Sequence, residues 1–165
     1  MKFELTILGS GGAIPTVHKK PTSQFLNIQD RYFLIDCGEG TQIQLRRYGF
    51  KLNSIEHIFI SHLHGDHFFG LPGLISTFRL LGRTKPLNIY GPKGIKKAIT
   101  LMLKLGDSWT NYELRFKELE HLKSIILIEN NEFSVSTIPL NHRIYTNGFL
   151  FKQKKNERKL DINIA

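Results

Sequence analysis

Six consecutive residues, His62-Leu63-His64-Gly65-Asp66-His67, bring three imidazoles and one carboxylate together. We call residues 62–67 the hexad. They come just after the apolar run 58–60, so a β-strand would deliver them at its carboxyl end. Imidazole nitrogens and carboxylate oxygens are ligands that zinc-like metals accept. The hexad therefore predicts a metal site.

The spacing within the hexad favours two metal ions over one. His62 and His64 are two positions apart on chain leaving a strand, so both can turn toward one ion. Asp66 and His67 are adjacent and diverge from that pair, so they can hold a second ion about 3.5–4 Å from the first, as two-metal hydrolytic sites require. Such a pair of ions lowers the pKa of water from about 15.7 toward neutrality. Asp66 could then orient or deprotonate the attacking water.

The alternative is that these histidines are structural, because a single histidine beside a strand more often has another role than metal binding. A closed structural zinc site would be expected to use cysteine, and Cys37 is the only cysteine in the chain. An open, catalytic site is the better interpretation. Cys37 itself follows an apolar segment, so we expect a buried, unreactive thiol.

The other histidines differ in where they fall. His142 follows the apolar segment 133–139, so it too would emerge at a strand end, and it is the best placed third ligand for the ion of His62 and His64. We interpret His18, His57 and His121 as structural or surface residues. His18 lies in a basic loop, where it could still contact phosphate.

The composition fits one soluble domain with a hydrophobic core, since 41% of the 165 residues are apolar. No stretch reaches the ~18 apolar residues of a membrane span, and the start of the chain does not resemble a signal peptide. We therefore expect a cytoplasmic protein that does not enter the membrane. The net charge of +9 favours polyanionic partners, nucleic acid above all.

The hydrophobic pattern predicts a layered α/β structure without an internal linker or repeat. Strands and helices alternate early in the chain, and strands follow one another late. The residues between strands 23–28 and 32–36, residues 29–31, read as a hairpin turn. The predicted strands lie near residues 3–8, 23–28, 32–36, 57–60, 87–90, 112–119, 124–128, 133–139 and 148–152, and the predicted helices end near residues 48, 81 and 105.

Several spaced segments together resemble one family. Residues 36–42, 61–73 and 89–92, and Asn141-His142 followed by Gly148-Phe149, are similar to the metallo-β-lactamase superfamily and, within it, to ribonuclease Z, the tRNA 3′-processing endonuclease. The resemblance runs from residue 3 to about residue 152. It implies the αββα sandwich of that superfamily and a site for two zinc ions.

The resemblance also implies a role for each matching residue. His62, His64 and His142 would hold one zinc, and Asp66 and His67 the second. Asp66 would also accept the proton of the attacking water. Asp36 would support the metal loop without being a ligand.

For the substrate, the resemblance implies precursor tRNA. The loop at residues 15–20 corresponds to a family loop that engages tRNA, which makes His18, Lys19 and Lys20 the candidate contacts. Its Pro-Thr-Val-His-Lys-Lys sequence departs from the arginine and asparagine usual there. Family members form homodimers, so a homodimer is the expected assembly.

The chain departs from the family pattern after His142. Family members are roughly twice as long and supply a bridging aspartate, two further histidines and a tRNA-binding arm. Residues 150–165 contain one aspartate, Asp161, in a lysine-rich context, and no histidine follows His142. We therefore expect residues 1–165 to be the amino-terminal part of a metallo-β-lactamase-like domain without its carboxyl-terminal half. Partial zinc occupancy, little activity and an exposed inter-sheet face would follow.

For the complete protein we expect a zinc-dependent endoribonuclease that removes 3′ trailers from precursor tRNA. Two alternatives stay open at the level of sequence. One is a small-substrate hydrolase of the same superfamily, such as a thioesterase or phosphodiesterase. The other is a non-catalytic nucleic-acid-binding half domain.

Overall fold

The secondary structure begins with three strands, alternates helices and strands up to residue 119, and then continues with strands alone in the part that the structure describes. The structure, a computed structural model, describes residues 2–154. Its elements are β1 (Phe3–Gly9), β2 (Ser23–Ile28), β3 (Arg31–Ile35), α1 (Thr41–Arg47), a 3-10 turn (Leu52–Ser54), β4 (Ile55–Phe59), α2 (Gly65–Phe68), α3 (Leu71–Leu80), β5 (Leu87–Pro92), α4 (Ile95–Leu105), β6 (Leu114–Leu119), β7 (Ile126–Glu129), β8 (Phe133–Leu140) and β9 (Thr146–Gln153).

Each predicted strand and helix is confirmed, with ends that differ by a few residues. Helix α2 was missed because it is one short turn within the hexad. The predicted hairpin turn was also one residue too long, since Arg31 already belongs to β3. Gln29 and Asp30 alone make the turn, with φ of 50° and 62°, the left-handed values that a tight two-residue hairpin needs.

The topology places the carboxyl ends of several strands at one edge. The larger sheet has the order β1-β2-β3-β4-β5-β6, and the smaller has the order β7-β8-β9. Strands β1 to β3 are antiparallel neighbours, whereas β3 to β6 run parallel. Because β3 and β4 are parallel neighbours, the residues that follow them emerge side by side.

The central strands β3 and β4 of the larger sheet are buried on both faces. Leu34 and Ile58 pack in the core shared with the helices, and Phe33 and Phe59 pack in the core shared with the smaller sheet. The rings of Phe33 and Phe133 meet edge to face at 5.4 Å between centroids, which joins the two sheets. Residues 2–154 thus form a helix layer and two sheets, three of the four layers of the expected αββα sandwich.

A buried arginine anchors the start of β4, the strand that leads to the hexad. Arg83 is 2% exposed. Its guanidinium donates to the carbonyl oxygens of Lys85 at 2.8 Å, Ile55 at 2.8 Å, Pro86 at 2.7 Å and Asn53 at 3.3 Å. The arginine thereby ties the loop after α3 to the first residue of β4.

The edge strand β1 carries an exposed apolar strip. Phe3, Leu5 and Ile7 are 47%, 52% and 48% exposed. The strip borders an apolar groove of about 600 Å³ that extends to Phe149 of β9. No helix within residues 2–154 is long and apolar enough to cross a membrane.

Candidate metal centre

Backbone hydrogen bonds join the ends of β3 and β4. The N–H of Asp36 donates to the carbonyl of Phe59 at 2.7 Å, and the N–H of Cys37 donates to the carbonyl of His67 at 2.7 Å. Gly70 closes the arrangement by donating its N–H to the carbonyl of Cys37 at 2.9 Å. The hexad is therefore held against the end of β3 rather than lying on a free loop.

Three predicted ligands converge at this edge. His62 Nε2 lies 3.0 Å from His64 Nδ1, and one ring nitrogen from each of His62, His64 and His142 lies within 4.8 Å of the others. His142 comes from the loop after β8, and β9 is tied back to the site because the N–H of Asn147 donates to the carbonyl of Ser61 at 3.0 Å. The larger sheet thus supplies two imidazoles and the smaller sheet supplies the third.

The triad fits a zinc-like ion in its chemistry, and the spacing of His62 and His64 fits one in its dimensions. Bonds of 2.0–2.1 Å in a tetrahedral zinc site separate the ligand nitrogens by about 3.3 Å, close to the 3.0 Å between His62 and His64. Burial, together with the charge of neighbouring histidines, lowers the pKa of His62 to about 4 despite Asp36 nearby. His62 is therefore neutral at physiological pH, the form that binds metal.

Asp66 and His67 form a second pair of candidate ligands. Asp66 Oδ2 lies 3.5 Å from His67 Nε2. The other nitrogen of His67, Nδ1, lies 2.7 Å from Asp36 Oδ2. With its Nδ1–H donated to that carboxylate, His67 presents a free Nε2 lone pair on the side of Asp66. Burial alone would lower the pKa of His67, but the hydrogen bond and charge of Asp36 outweigh it and raise the pKa.

Ser61 links the two groups of ligands, and sequence reasoning gave it no role. Its N–H donates to Asp36 Oδ1 at 2.8 Å, and its hydroxyl lies 3.0 Å from Asp36 Oδ2 and from Nδ1 of both His62 and His67. Asp36 has φ of 56°, a left-handed conformation that aspartate tolerates better than most residues. The signal available in the sequence was a hydroxyl residue directly before the hexad.

Two further sequence interpretations concern residues behind the site. Cys37 is fully buried, as expected, and burial raises the pKa of its thiol to about 12. His57 lies within β4, stacked on Tyr90 with ring centroids 5.9 Å apart, as a structural residue would be. His121 is exposed and lies outside the metal cluster. Asp161 falls outside the described residues.

A cavity of about 560 Å³ opens beside the ligands. Its walls include two of the predicted ligands and several residues that sequence reasoning did not single out. They are Ala13, Pro15, Pro21, Glu39, His64, Gly65, Asp66, Phe69 and Arg143. The predicted tRNA contacts His18, Lys19 and Lys20 are not among these lining residues, although Pro15 of their loop and the next residue after it, Pro21, are.

Known proteins resemble this chain along most of its length. A family model described as anti-Pycsar protein Apyc1 matches residues 3–156. Ribonuclease Z of Bacteroides fragilis is 51% identical over 153 residues, which cover 93% of this chain and 50% of that protein. The chain spans about half the length of the curated relatives it matches.

Solved structures agree with the sequence relatives. The human tRNase Z short form aligns with a TM-score of 0.82 and 35% identity, over 91% of this chain and 64% of that one. The metallo-β-lactamase fold protein YhfI of Bacillus subtilis aligns with a TM-score of 0.69 and 17% identity, over 90% and 57% of the two chains, which supports the fold alone. The chain therefore belongs to the family described as anti-Pycsar protein Apyc1, has the metallo-β-lactamase fold and is a homologue of ribonuclease Z.

Proposed function

We propose that the protein is a zinc-dependent endoribonuclease that removes 3′ trailers from precursor tRNA. The observation that carries the hydrolytic part is the convergence of His62, His64 and His142 at the strand ends, beside Asp66 and His67. The tRNA substrate is supported by the relatives named ribonuclease Z. A homodimer is the expected assembly.

Each side chain has a distinct part in this proposal. The histidine triad would hold one zinc, and Asp66 with His67 the second. When bound, the metal supplies Lewis acidity that lowers the pKa of water from about 15.7 toward neutrality. Asp66 would accept the proton of the attacking water through its carboxylate. Asp36 would hold His67 in the Nδ1–H tautomer, so that Nε2 remains a ligand.

The charge of the chain suits a polyanionic substrate. The net charge of +9 would attract the tRNA backbone, and the loop with His18, Lys19 and Lys20 would contribute to that attraction. We expect log Kd for tRNA to rise linearly with log salt concentration, because neutralised phosphates release counterions. A salt-independent affinity would contradict this part of the proposal.

Zinc binding is tested first, because it does not require turnover. Competition with a chromophoric chelator measures the zinc affinity of the chain and of His64→Ala. We expect this variant to lose most of its affinity for the first ion, while His121→Ala, an exposed histidine outside the cluster, keeps it. Equal affinities in all three proteins would refute the histidine site.

Cleavage is tested under single-turnover conditions, with protein in excess over a precursor tRNA that carries a 3′ trailer. We expect slow cleavage at the trailer junction that requires zinc and is abolished by Asp66→Asn but not by His121→Ala. Trailer cleavage that persists in the zinc-free protein or in Asp66→Asn would refute the mechanism.

The size of the cavity favours one second candidate, a phosphodiesterase for small substrates. Its volume of about 560 Å³ falls within the ~300–1,000 Å³ typical of small-molecule sites. Competition separates the two functions. If tRNA inhibits turnover of a small chromogenic phosphodiester, both bind at one site and the nuclease is favoured. Turnover that tRNA leaves unchanged favours the small-substrate enzyme.

A further inference from the structure

The lining of the cavity beside the metal ligands is chemically mixed. It includes the polar side chains of His64 and Asp66 of the hexad. It also includes four apolar residues, Ala13, Pro15, Pro21 and Phe69. A ligand with one group for the metal ligands and a flat or apolar group beside it would use both kinds of lining residue.

The Phe69 ring is exposed on one side and packed against its neighbours on the other. It is 61% exposed, whereas its neighbour Phe68 is 8% exposed and meets the Phe69 ring edge to face at 5.1 Å between centroids. The ring also rests directly on Gly65, because a Cβ at that position would lie 2.2 Å from the ring atom Cε2. The N–H of Phe69 donates to the carbonyl of Gly65 at 2.9 Å. The exposed ring is thus held in place before any ligand arrives.

The charged residues that line the cavity do not favour an anion next to Phe69. Arg143 is the permanent cation among the lining residues, and Glu39 and Asp66 are carboxylates. These residues alone do not attract an anion, so a phosphate would depend on the metal side for its binding. A neutral aromatic group suits the Phe69 side, because stacking there needs no charge.

We propose that Phe69 is a stacking platform for the nucleobase next to the phosphodiester bond that is cleaved. This rests on the proposed function, since it requires a nucleic-acid substrate. Stacking of a base on an aromatic ring accepts any base, so Phe69 would favour an unpaired nucleotide without selecting its sequence. The cleavage site would accordingly lie in a single-stranded segment.

The test measures binding of a labelled single-stranded RNA to the full chain in the presence of zinc, by fluorescence anisotropy. Loss of one stacked base weakens binding by about 5- to 150-fold. We expect a loss of this size for Phe69→Leu and near-normal affinity for Phe69→Tyr and Phe69→Trp. Trp109→Leu, which removes a half-exposed aromatic ring outside the cavity lining, should bind as the unaltered chain does.

A series of RNAs, each with one abasic nucleotide, identifies the stacked base. At one position the abasic RNA should bind the unaltered chain as weakly as the intact RNA binds Phe69→Leu. At that position the variant should show no further loss, because the same contact has already been removed. Gly65→Ala offers an independent perturbation, since its methyl group displaces the ring. Its loss should not add to that of Phe69→Leu.

The outcomes separate this inference from the proposed function. If the unaltered chain binds RNA and Phe69→Leu binds equally well, the stacking platform is refuted and the nuclease proposal stands. If Phe69→Tyr and Phe69→Trp lose as much affinity as Phe69→Leu, the ring acts by shape rather than by stacking, which also refutes it. Absence of RNA binding by the unaltered chain would refute both.

Discussion

Asp36→Asn removes one negative charge and reverses the two hydrogen bonds that Oδ2 accepts, while keeping the shape of the side chain. Asp36 is buried and accepts hydrogen bonds from Ser61 N–H at 2.8 Å, Ser61 Oγ at 3.0 Å and His67 Nδ1 at 2.7 Å. In the variant the amide oxygen can still accept from Ser61 N–H, which turns the NH₂ group toward His67. Two donors would then face each other unless His67 moves its proton from Nδ1 to Nε2.

The magnitude follows from the bonds that are lost. A hydrogen bond to a charged group contributes about 1.5–3 kcal/mol, and the bonds to Ser61 can be kept, so the free energy of unfolding should fall by about 2 kcal/mol. Asparagine tolerates the left-handed backbone at this position as well as aspartate does. Asp36→Ala should cost more, because it loses all three bonds and adds about 1 kcal/mol or more of backbone strain.

The assay combines urea unfolding of the metal-free protein with long-range ¹H–¹⁵N NMR of the His67 ring, both at mildly alkaline pH. We expect the order of stability to be wild type, then Asp36→Asn, then Asp36→Ala, with the His67 proton on Nε2 in Asp36→Asn. Loss of such an outer hydrogen-bond partner should also weaken zinc binding at His67 by about 10- to 100-fold. A loss of stability below about 0.5 kcal/mol with the Nδ1–H tautomer intact would refute the reasoning.

Three further predictions concern the fold around the site. Arg83→Met should lower the free energy of unfolding, measured in urea, by at least about 3 kcal/mol, because several buried carbonyls lose their donor. Arg79→Met, at an exposed position, should lower it little, and similar losses in the two variants would contradict the anchor role. Burial lowers the pKa of His57 below 6.5, so as the pH falls His57 is protonated in the unfolded protein before it is protonated in the folded one. The contribution of neutral His57 to stability is therefore present above about pH 6.5 and is lost as the pH falls below that value. His57→Phe should flatten the stability profile in that range, and an unchanged profile would show that His57 does not contribute. Leu5→Lys, which places a charge on the apolar strip, should reduce self-association in analytical ultracentrifugation more than Leu105→Lys on the helical side. Equal effects of the two variants would show that the strip is not the surface through which the chain associates.

Local patterns were sufficient for most elements and for the ligand cluster. Continuous apolar runs predicted β3 and β4, because side chains on a strand alternate between two faces and both faces are buried here. The ends were less certain, as Arg31 shows, since the turn depends on the φ values of Gln29 and Asp30 rather than on hydrophobicity. Helix α2 was missed because one helical turn carries no periodic signal.

By itself the sequence determined which residues could bind metal, because ligand type and close spacing in the hexad are local properties. Only the tertiary structure decided how these residues are held. Asp36 reaches His67 because β3 and β4 are parallel neighbours, and His142 reaches His62 because the smaller sheet packs on the larger one. The seating of Phe69 on Gly65 and the cavity shared with Arg143 likewise arise from packing. These contacts join positions far apart in the chain or depend on side-chain direction, and hydrophobic periodicity contains neither kind of information.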